Sequence, residues 1–226
     1  MTSSTDLNVQ RLRRLDACAV SDALDRLQLA GTVTGIALRS TGPGGASRIA
    51  GRAVTMKVGP GKPPEGPPRH LGCSAVELAG PDDVIVVEQR TGLDAAAWGG
   101  ILSRAARHRG IAGTLVDGPT RDVEEANRIG YPVYARSTTA RTARGRIHEA
   151  ECQTTIRFGD TEVSPGDYVA ADRSGCVVIA AARIADVLAR AEDILKKSDD
   201  MAAAVERGAP VSKVMGGAYE TMLEKK

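Results

Sequence analysis

The sequence predicts an α/β protein, and three observations support this class. The apolar runs at 84–87 and 111–116 are typical of strands covered on both faces, so we expect a layered core that includes helices. Segments with helical periodicity alternate with these runs. The 226 residues, 42% of them hydrophobic, suffice for one core, so we expect 1–226 to form a single domain.

Each element has its own local signal. Helical periodicity over 7–29 predicts two short helices, with Ser21 and Asp22 as the N-cap at their join. Apolar alternation over 48–58 predicts a strand, and the five prolines and three glycines of 59–68 predict a loop, which is either a plain surface loop or an active-site lid. The other elements expected up to residue 134 are helices over 72–79, 101–108 and 121–129, the apolar strands 84–87 and 111–116, a loop over 117–120, and a strand near 131–134.

The C-terminal part has a different character. A hairpin over 154–163 and strands over 168–171 and 175–180 predict a mainly antiparallel, β-rich segment. From Arg183 an amphipathic helix begins, followed by a second helix over 201–207. Such a terminal helix caps either its own sheet or a neighbouring subunit.

Composition excludes several classes of protein. Thirty Lys and Arg against 28 Asp and Glu give a net charge of +2, too small for a protein whose main partner is nucleic acid. The four cysteines are dispersed, without a C-x-x-C pair, and are expected to be reduced core thiols. No apolar run is long enough to span a bilayer, so we expect a soluble cytoplasmic protein with no membrane partner.

Common catalytic and nucleotide-binding motifs are absent. The sequence has no G-x-G-x-x-G, Walker A, G-x-S-x-G or H-E-x-x-H motif. His70 and Cys73 have ligand-like spacing, but without a second pair they do not favour a zinc site. The basic run, formed by Arg136, Arg141, Arg144 and Arg146, is either a solvated loop or the rim of a site for an anionic substrate.

The stretch 98–125 carries the chemistry that the residues themselves suggest. Gly99 and Gly100 open a helix whose first backbone N–H groups, those of Gly100, Ile101 and Leu102, form an anion site suited to a carboxylate. Downstream, Arg121 offers a planar guanidinium for a carboxylate or enolate, and Asp122 a hard oxygen for a divalent cation. The simpler alternative is that Asp122 complements a helix dipole while Arg121 pairs with Glu124 or Glu125 on the surface.

The spacing of these residues resembles a known signature. Gly100, twenty intervening residues, Arg121, Asp122, two more residues and Glu125 are similar to the G-x20-R-D-x2-E/D pattern of the RraA-like family. Further similarity lies at 20–24, 51–55, 80–87, 165–172 and 175–178. The resemblance implies a three-layer ββα swivelling-domain fold with N- and C-terminal helices. It also implies homotrimers or homohexamers, with the helical extension 183–226 packed at a subunit interface.

The resemblance implies an activity as well. The family includes metal-dependent (class II) aldolases of 4-hydroxy-4-methyl-2-oxoglutarate, oxaloacetate decarboxylases and ribonuclease E inhibitors. For this chain it implies a lyase acting on small 2-oxo acids and releasing pyruvate. Asp122 would hold Mg²⁺ or Mn²⁺, with Glu192 of a neighbouring subunit as a further candidate; Arg121 would contact the pyruvyl group, and the Gly99–Leu102 segment its carboxylate. The alternative is a regulatory protein of the ribonuclease-inhibitor type without catalytic activity.

One departure from the aldolase pattern concerns the base. The aldolases carry D-x20-R-D, whereas this chain has Gly100 in place of the first Asp. Asp94 and Glu125 are the candidates to replace that carboxylate. Decarboxylation of oxaloacetate tolerates the loss better, because it needs electrophilic stabilisation of an enolate and no deprotonated hydroxyl.

Overall fold

The computed structural model describes residues 6–65 and 69–216, which form a mixed α/β fold around a nine-stranded sheet. The helices are α1 (Leu7–Leu12), α2 (Ala17–Arg26), α3 (Cys73–Leu78), α4 (Gly100–His108), α5 (Val123–Ile129), α6 (Ile184–Glu206) and α7 (Val211–Val214). The strands are β1 (Thr32–Val33), β2 (Ala37–Ser40), β3 (Ile49–Pro60), β4 (Asp83–Glu88), β5 (Gly113–Thr120), β6 (Val133–Thr138), β7 (Ile147–Cys152), β8 (Ile156–Phe158), β9 (Thr161–Val163), β10 (Tyr168–Asp172) and β11 (Gly175–Ile179).

The sheet combines a parallel centre with antiparallel flanks. Its order is β1-β11-β10-β3-β4-β5-β6-β2, and β7 also pairs with β3. Strands β3, β4, β5 and β6 are parallel neighbours, while β10, β11, β1, β2 and β7 pair in antiparallel fashion. Parallel strands end at one edge of a sheet, so the segments that follow β4 and β5 meet there.

Apolar clusters on both faces confirm the predicted layers. On one face, α3, α4 and α5 pack against β3, β4 and β5 around Ile85, Val87 and Val116. On the other face, the separate β8–β9 hairpin packs through Phe158 on residues such as Val86. These layers agree with a ββα fold.

The terminal helices cover the antiparallel side of the sheet. The buried stripe of α6, which includes Val187, Leu188 and Ala191, packs with α1 and α2 over β10 and β11. The helix therefore caps the sheet of its own chain, one of the two alternatives expected. Residues 217–226 of the predicted extension lie outside the described residues.

Several boundaries differ from the sequence predictions. The first two helices join at Asp16, whose carboxylate accepts the N–H of Ala19 at 2.7 Å, so Ser21 and Asp22 are not the cap. Residues 117–120 continue β5 and are not a loop. The last long helix is unbroken through 201–206. Of the predicted loop 59–68, residues 59–60 belong to β3 and 66–68 lie outside the described residues.

Within the described ranges, no helix is both long enough and apolar enough to cross a membrane.

Candidate active site

A cavity of about 370 Å³ lies where β5 ends and α4 begins. Most of the residues singled out in the stretch 98–125 line it, together with a helix start and a loop that come from elsewhere in the chain. The lining residues are His70, Cys73, the segment 96–102, Arg121, Asp122, Thr142, Ala143 and Arg144. The volume is in the range of small-molecule sites, about 300–1,000 Å³.

The start of α4 is held in a defined position. Gly99 is the N-cap in extended conformation, and its carbonyl accepts the Ser103 hydroxyl at 3.0 Å. The Trp98 indole N–H donates in turn to Ser103 Oγ at 3.0 Å. These two bonds hold the first turn of α4 in place. They therefore fix the direction of the Ile101 and Leu102 N–H groups, which have no acceptor within the helix. Sequence reasoning identified the glycines but missed the role of Ser103.

Backbone bonds join the Arg121 segment to this helix start. The Arg121 N–H donates to the Trp98 carbonyl at 3.0 Å, and the Thr120 hydroxyl donates to the same oxygen at 3.2 Å. A parallel bridge between Trp98 and Thr120 completes the link. Residues that are more than twenty positions apart in sequence therefore lie side by side.

The carboxylate of Asp122 faces the start of α4. Its Oδ2 accepts the Gly100 N–H at 3.0 Å, and its Oδ1 accepts from Arg121 Nε at 3.2 Å. Asp122 has φ of 58° and ψ of 36°, a left-handed conformation that costs an L-residue free energy and is concentrated at functional sites. Its side chain makes no capping bond to its own helix α5. The carboxylate thus complements the positive end of α4, and Arg121 pairs with Asp122 in preference to Glu124 or Glu125.

Glu125 packs against Gly100. Its Oε1 accepts from Arg104 Nε, which directs the other oxygen toward the Gly100 Cα. A Cβ on residue 100 would lie 2.6 Å from Glu125 Cδ, closer than packed atoms approach. The space that glycine leaves at position 100 is therefore filled by the Glu125 carboxylate.

Within one chain, Asp94, Glu125 and Glu192 are not among the residues that line this cavity, although Glu125 packs on Gly100, which is. Asp94 is 58% exposed, pairs with Arg141 at 3.3 Å and is not among the lining residues. Glu192 accepts two bonds from Arg11, at 2.8 and 2.7 Å, and the hydrogen bond from that guanidinium lowers the pKa of Glu192 below its ordinary value.

The basic run serves several roles. Arg136 pairs with the buried Asp117, Arg141 pairs with Asp94, and Arg146 donates to the Thr142 carbonyl at 3.2 Å. Arg144 lines the cavity, as the substrate-rim alternative expects. Arg136, Arg141 and Arg146 either fit the solvated-loop alternative or stabilise the fold.

His70 and Cys73 also line the cavity, a location that their sequence spacing did not indicate. Residues 6–65 and 69–216 contain no group of three or more His, Cys, Asp or Glu side chains arranged to hold a metal ion. A metal ion at this cavity would have Asp122 as its protein ligand and would need further oxygens from substrate or water. Mg²⁺ commonly binds in this way, through one or two carboxylates while it keeps several waters, so the site fits the ion that the resemblance implies.

Comparisons with known proteins identify the family of this chain. The family model of the RraA-like proteins, described as Aldolase/RraA, matches residues 17–178. The 4-hydroxy-4-methyl-2-oxoglutarate aldolase of Thermus thermophilus is 29% identical over 136 residues, which are 60% of this chain and 78% of that protein. Protein DlpA of Legionella pneumophila is 28% identical over 180 residues, or 80% of this chain, but this chain spans only 28% of DlpA.

A solved structure supports the fold over nearly the whole chain. An uncharacterized protein from Pseudomonas syringae pv. tomato superimposes with a TM-score of 0.82 at 26% identity, covering 95% of this chain and all of that one. The family match covers well over half of the sequence and includes Gly100, Arg121, Asp122 and Glu125. The chain therefore belongs to the RraA-like family.

Proposed function

We propose that this protein is a divalent-metal-dependent carbon–carbon lyase that acts on 2-oxo acids and releases pyruvate. One observation carries the proposal: a guanidinium, a carboxylate and a helix N-terminus, supplied by Arg121, Asp122 and α4, converge on one small-molecule cavity. The name of the Thermus relative supports the same class of reaction. The substrates we propose are 4-hydroxy-4-methyl-2-oxoglutarate, cleaved by retro-aldol reaction, and oxaloacetate, which is decarboxylated.

The carboxylate of the pyruvyl unit binds at the start of α4. The N–H groups of Ile101 and Leu102 are free to donate, because the first N–H groups of a helix have no partner inside it. The partial positive charge of the helix terminus adds to the attraction for an anion. The Gly100 N–H is already engaged with Asp122, so this amide positions the carboxylate of Asp122.

Asp122 would hold the divalent cation, Mg²⁺ or Mn²⁺. When bound, that cation supplies Lewis-acid polarisation of the 2-oxo group. The strained backbone of Asp122 and its two hydrogen bonds fix the direction of the carboxylate in the free protein. A ligand fixed in this way needs little reorganisation at the moment of reaction.

Arg121 acts as an electrophile. Its guanidinium is 36% exposed at the cavity, and this planar cation donates hydrogen bonds to the oxygen on which enolate charge develops. Because that charge is larger in the transition state than in the substrate, the interaction lowers the barrier of the chemical step.

Glu125 is the candidate base for the retro-aldol step. Its carboxylate fills the space beside Gly100, close to the start of α4. Asp94 is the weaker candidate, because Glu125 packs on Gly100 of the cavity lining, whereas Asp94 is 58% exposed and paired with Arg141. In the retro-aldol reaction the base removes the proton of the substrate hydroxyl as the carbon–carbon bond breaks, and the electron pair of that bond forms the enolate.

We further propose that the active form is a homotrimer or homohexamer with its sites at subunit interfaces. Ile101 is 81% exposed although it is apolar and lies at the cavity. An exposed apolar side chain beside a site is consistent with cover from another subunit. In this assembly Glu192 of a neighbour would help to hold the metal-bound water.

The alternative proposal is a regulatory protein of the ribonuclease E inhibitor type. It rests on the family, whose model description contains both Aldolase and RraA. Pull-down with a ribonuclease E scaffold at moderate salt tests it, and lack of binding removes it. The convergence of Arg121 and Asp122 on a cavity favours the enzyme.

Pyruvate release tests the enzyme proposal. Both substrates are incubated with the full-length protein in Mg²⁺ and in excess chelator, with protein-free Mg²⁺ controls for spontaneous decarboxylation. We expect chelator-sensitive pyruvate release well above the protein-free rate from at least one substrate. Lack of such release from both would overturn the proposal.

A further inference from the structure

The segment between β6 and β7 is anchored tightly beside the cavity. The Thr139 N–H donates to the Thr120 carbonyl at 2.9 Å, and the Ala96 N–H donates to the Arg141 carbonyl at 3.1 Å. The side chain of Ala143 is 5% exposed and belongs to the core beneath α4. This segment is therefore a fixed wall of the site.

Arg144 extends from that wall with an unpaired charge. Its backbone N–H donates to Thr142 Oγ1 at 3.3 Å, which helps to fix the residue where it lines the cavity. Its guanidinium has no carboxylate or carbonyl partner among residues 6–65 and 69–216, whereas Arg136, Arg141 and Arg146 of the same run each have one.

The charges of the cavity are therefore unbalanced. Arg121 and Asp122 form an ion pair at 3.2 Å and largely cancel one another. Arg144 leaves one positive charge that no described carboxylate at the cavity offsets. A ligand with a single carboxylate uses the start of α4 and Arg121, and it leaves Arg144 without an anion.

We propose that Arg144 binds a second carboxylate of the ligand, and that it makes the site selective for 2-oxo dicarboxylic acids over 2-oxo monocarboxylic acids of equal length. This inference rests on the proposed function for the orientation of the ligand, with its pyruvyl end at α4. A guanidinium matches a carboxylate in planar, bidentate geometry, so the second carboxylate gains both affinity and a fixed direction. Arg144 is thus a specificity-determining residue.

Two non-cleavable probes with the same carbon skeleton test the inference. 2-Oxoglutarate carries a second carboxylate and 2-oxovalerate has a methyl group instead, and calorimetric titration in Mg²⁺ measures the affinity of the full-length protein for each. We expect the wild type to prefer 2-oxoglutarate. Arg144→Ala should weaken 2-oxoglutarate binding by about ten- to a hundredfold, as expected for loss of a charged hydrogen-bonded partner, and leave 2-oxovalerate unchanged.

Arg146→Ala is the matched control. It removes the same charge from the same loop, two residues away and outside the cavity lining, so it should preserve the preference for 2-oxoglutarate. The inference is overturned by a wild type that does not prefer 2-oxoglutarate, by equal weakening of both probes in Arg144→Ala, or by the same loss in Arg146→Ala.

A kinetic readout separates this inference from the proposed function. If the protein cleaves 4-hydroxy-4-methyl-2-oxoglutarate, Arg144→Ala should raise KM for that substrate far more than it lowers kcat, because its second carboxylate stays intact on the leaving 2-oxo acid and is bound alike in substrate and transition state. If the wild type releases no pyruvate but retains an Arg144-dependent preference for the dicarboxylate, the lyase proposal fails and the binding role of Arg144 stands.

Discussion

The Glu125 carboxylate occupies the position into which any side chain on residue 100 would extend. The distance from an ideal Cβ at Gly100 to Glu125 Cδ is 2.6 Å, and Arg104 holds Glu125 from its other side. A carboxylate can therefore occupy this space from position 100 or from position 125, but not from both. This relationship gives a structural reason for the joint occurrence of glycine and an acidic residue in the signature of this chain.

We predict that Gly100→Asp destabilises the fold by about 1–3 kcal/mol, because it forces overlap and places two carboxylates together. Adding Glu125→Ala removes the overlap, so the double variant should recover most of the loss. Free energies of unfolding in urea for the two single variants and the double variant measure the coupling. Additive losses would show that the two side chains do not compete for the same space.

Two substitutions of Asp122 should distinguish its hydrogen bond to the backbone from its proposed role as a metal ligand. Asp122→Asn keeps an oxygen acceptor for the Gly100 N–H and a residue type that accepts left-handed geometry, so it should fold with near wild-type stability. Asp122→Ala loses both and should destabilise by about 1–2 kcal/mol.

The metal role of Asp122 has its own readout. Mg²⁺ should raise the Tm of the wild type, since it binds the native state, and chelator should reverse the shift. Neither Asp122 variant should show it. An Mg²⁺-dependent Tm shift that survives in Asp122→Asn would contradict the assignment of this carboxylate.

The buried Asp117 should be a stability determinant rather than a site residue. It is 2% exposed, pairs with Arg136, lies 3.6 Å from Arg90 and accepts the Gly159 N–H at 2.8 Å, which ties the β8–β9 hairpin to the end of β5. We predict that Asp117→Ala lowers the free energy of unfolding by about 3 kcal/mol.

An exposed carboxylate in the same hairpin provides the control. Asp160→Ala should change stability by no more than about 0.5 kcal/mol, as is usual for surface positions. Urea denaturation measures both variants. Equal losses of unfolding free energy at the two positions would show that Asp117 does not link the hairpin to the sheet.

The Arg11–Glu192 pair should make stability depend on pH. The pKa of Glu192 is lowered in the folded protein by its hydrogen bond with Arg11. The contribution of the pair is therefore present above the ordinary glutamate pKa and is lost as pH falls through the lower, folded value. We predict that the Tm of Glu192→Gln lies below that of the wild type at about pH 6, and that the gap narrows as the pH falls below the ordinary glutamate pKa.

Thermal unfolding of both proteins across that range measures the effect, with Glu206→Gln as a control carboxylate in the same helix. A gap that persists unchanged at low pH would mean that ionisation of Glu192 does not stabilise the fold.

Local sequence signals predicted the helix start at Gly99 and Gly100 and the buried strand that delivers Arg121, because both depend on nearby residues. They failed at 117–120, where Asp117, Gly118 and Pro119 are typical of a turn. There β5 continues because its pairing with β6 shifts register between Val116 and Pro119, so that an irregularity accommodates the proline.

The cavity walls were harder to predict because they depend on tertiary contacts. The pairing of Arg104 with Glu125 joins two helices, and Arg144 and His70 reach the site through segments with no periodic pattern. Cys73 lies at the start of the predicted helix α3, but its place at the cavity depends on how that helix packs. Charge spacing alone left Arg144 as either a solvated residue or a rim residue, and the structure places this exposed residue at the cavity.

Arg121 provides the most direct test of the lyase proposal. Pyruvate formation from oxaloacetate in saturating Mg²⁺ is compared between the wild type, Arg121→Ala and the exposed neighbour variant Arg128→Ala, after correction for the protein-free rate. We predict a fall of about a hundredfold or more in kcat for Arg121→Ala, with an unchanged Tm and with Arg128→Ala equal to the wild type. Wild-type turnover in a folded Arg121→Ala protein would contradict it.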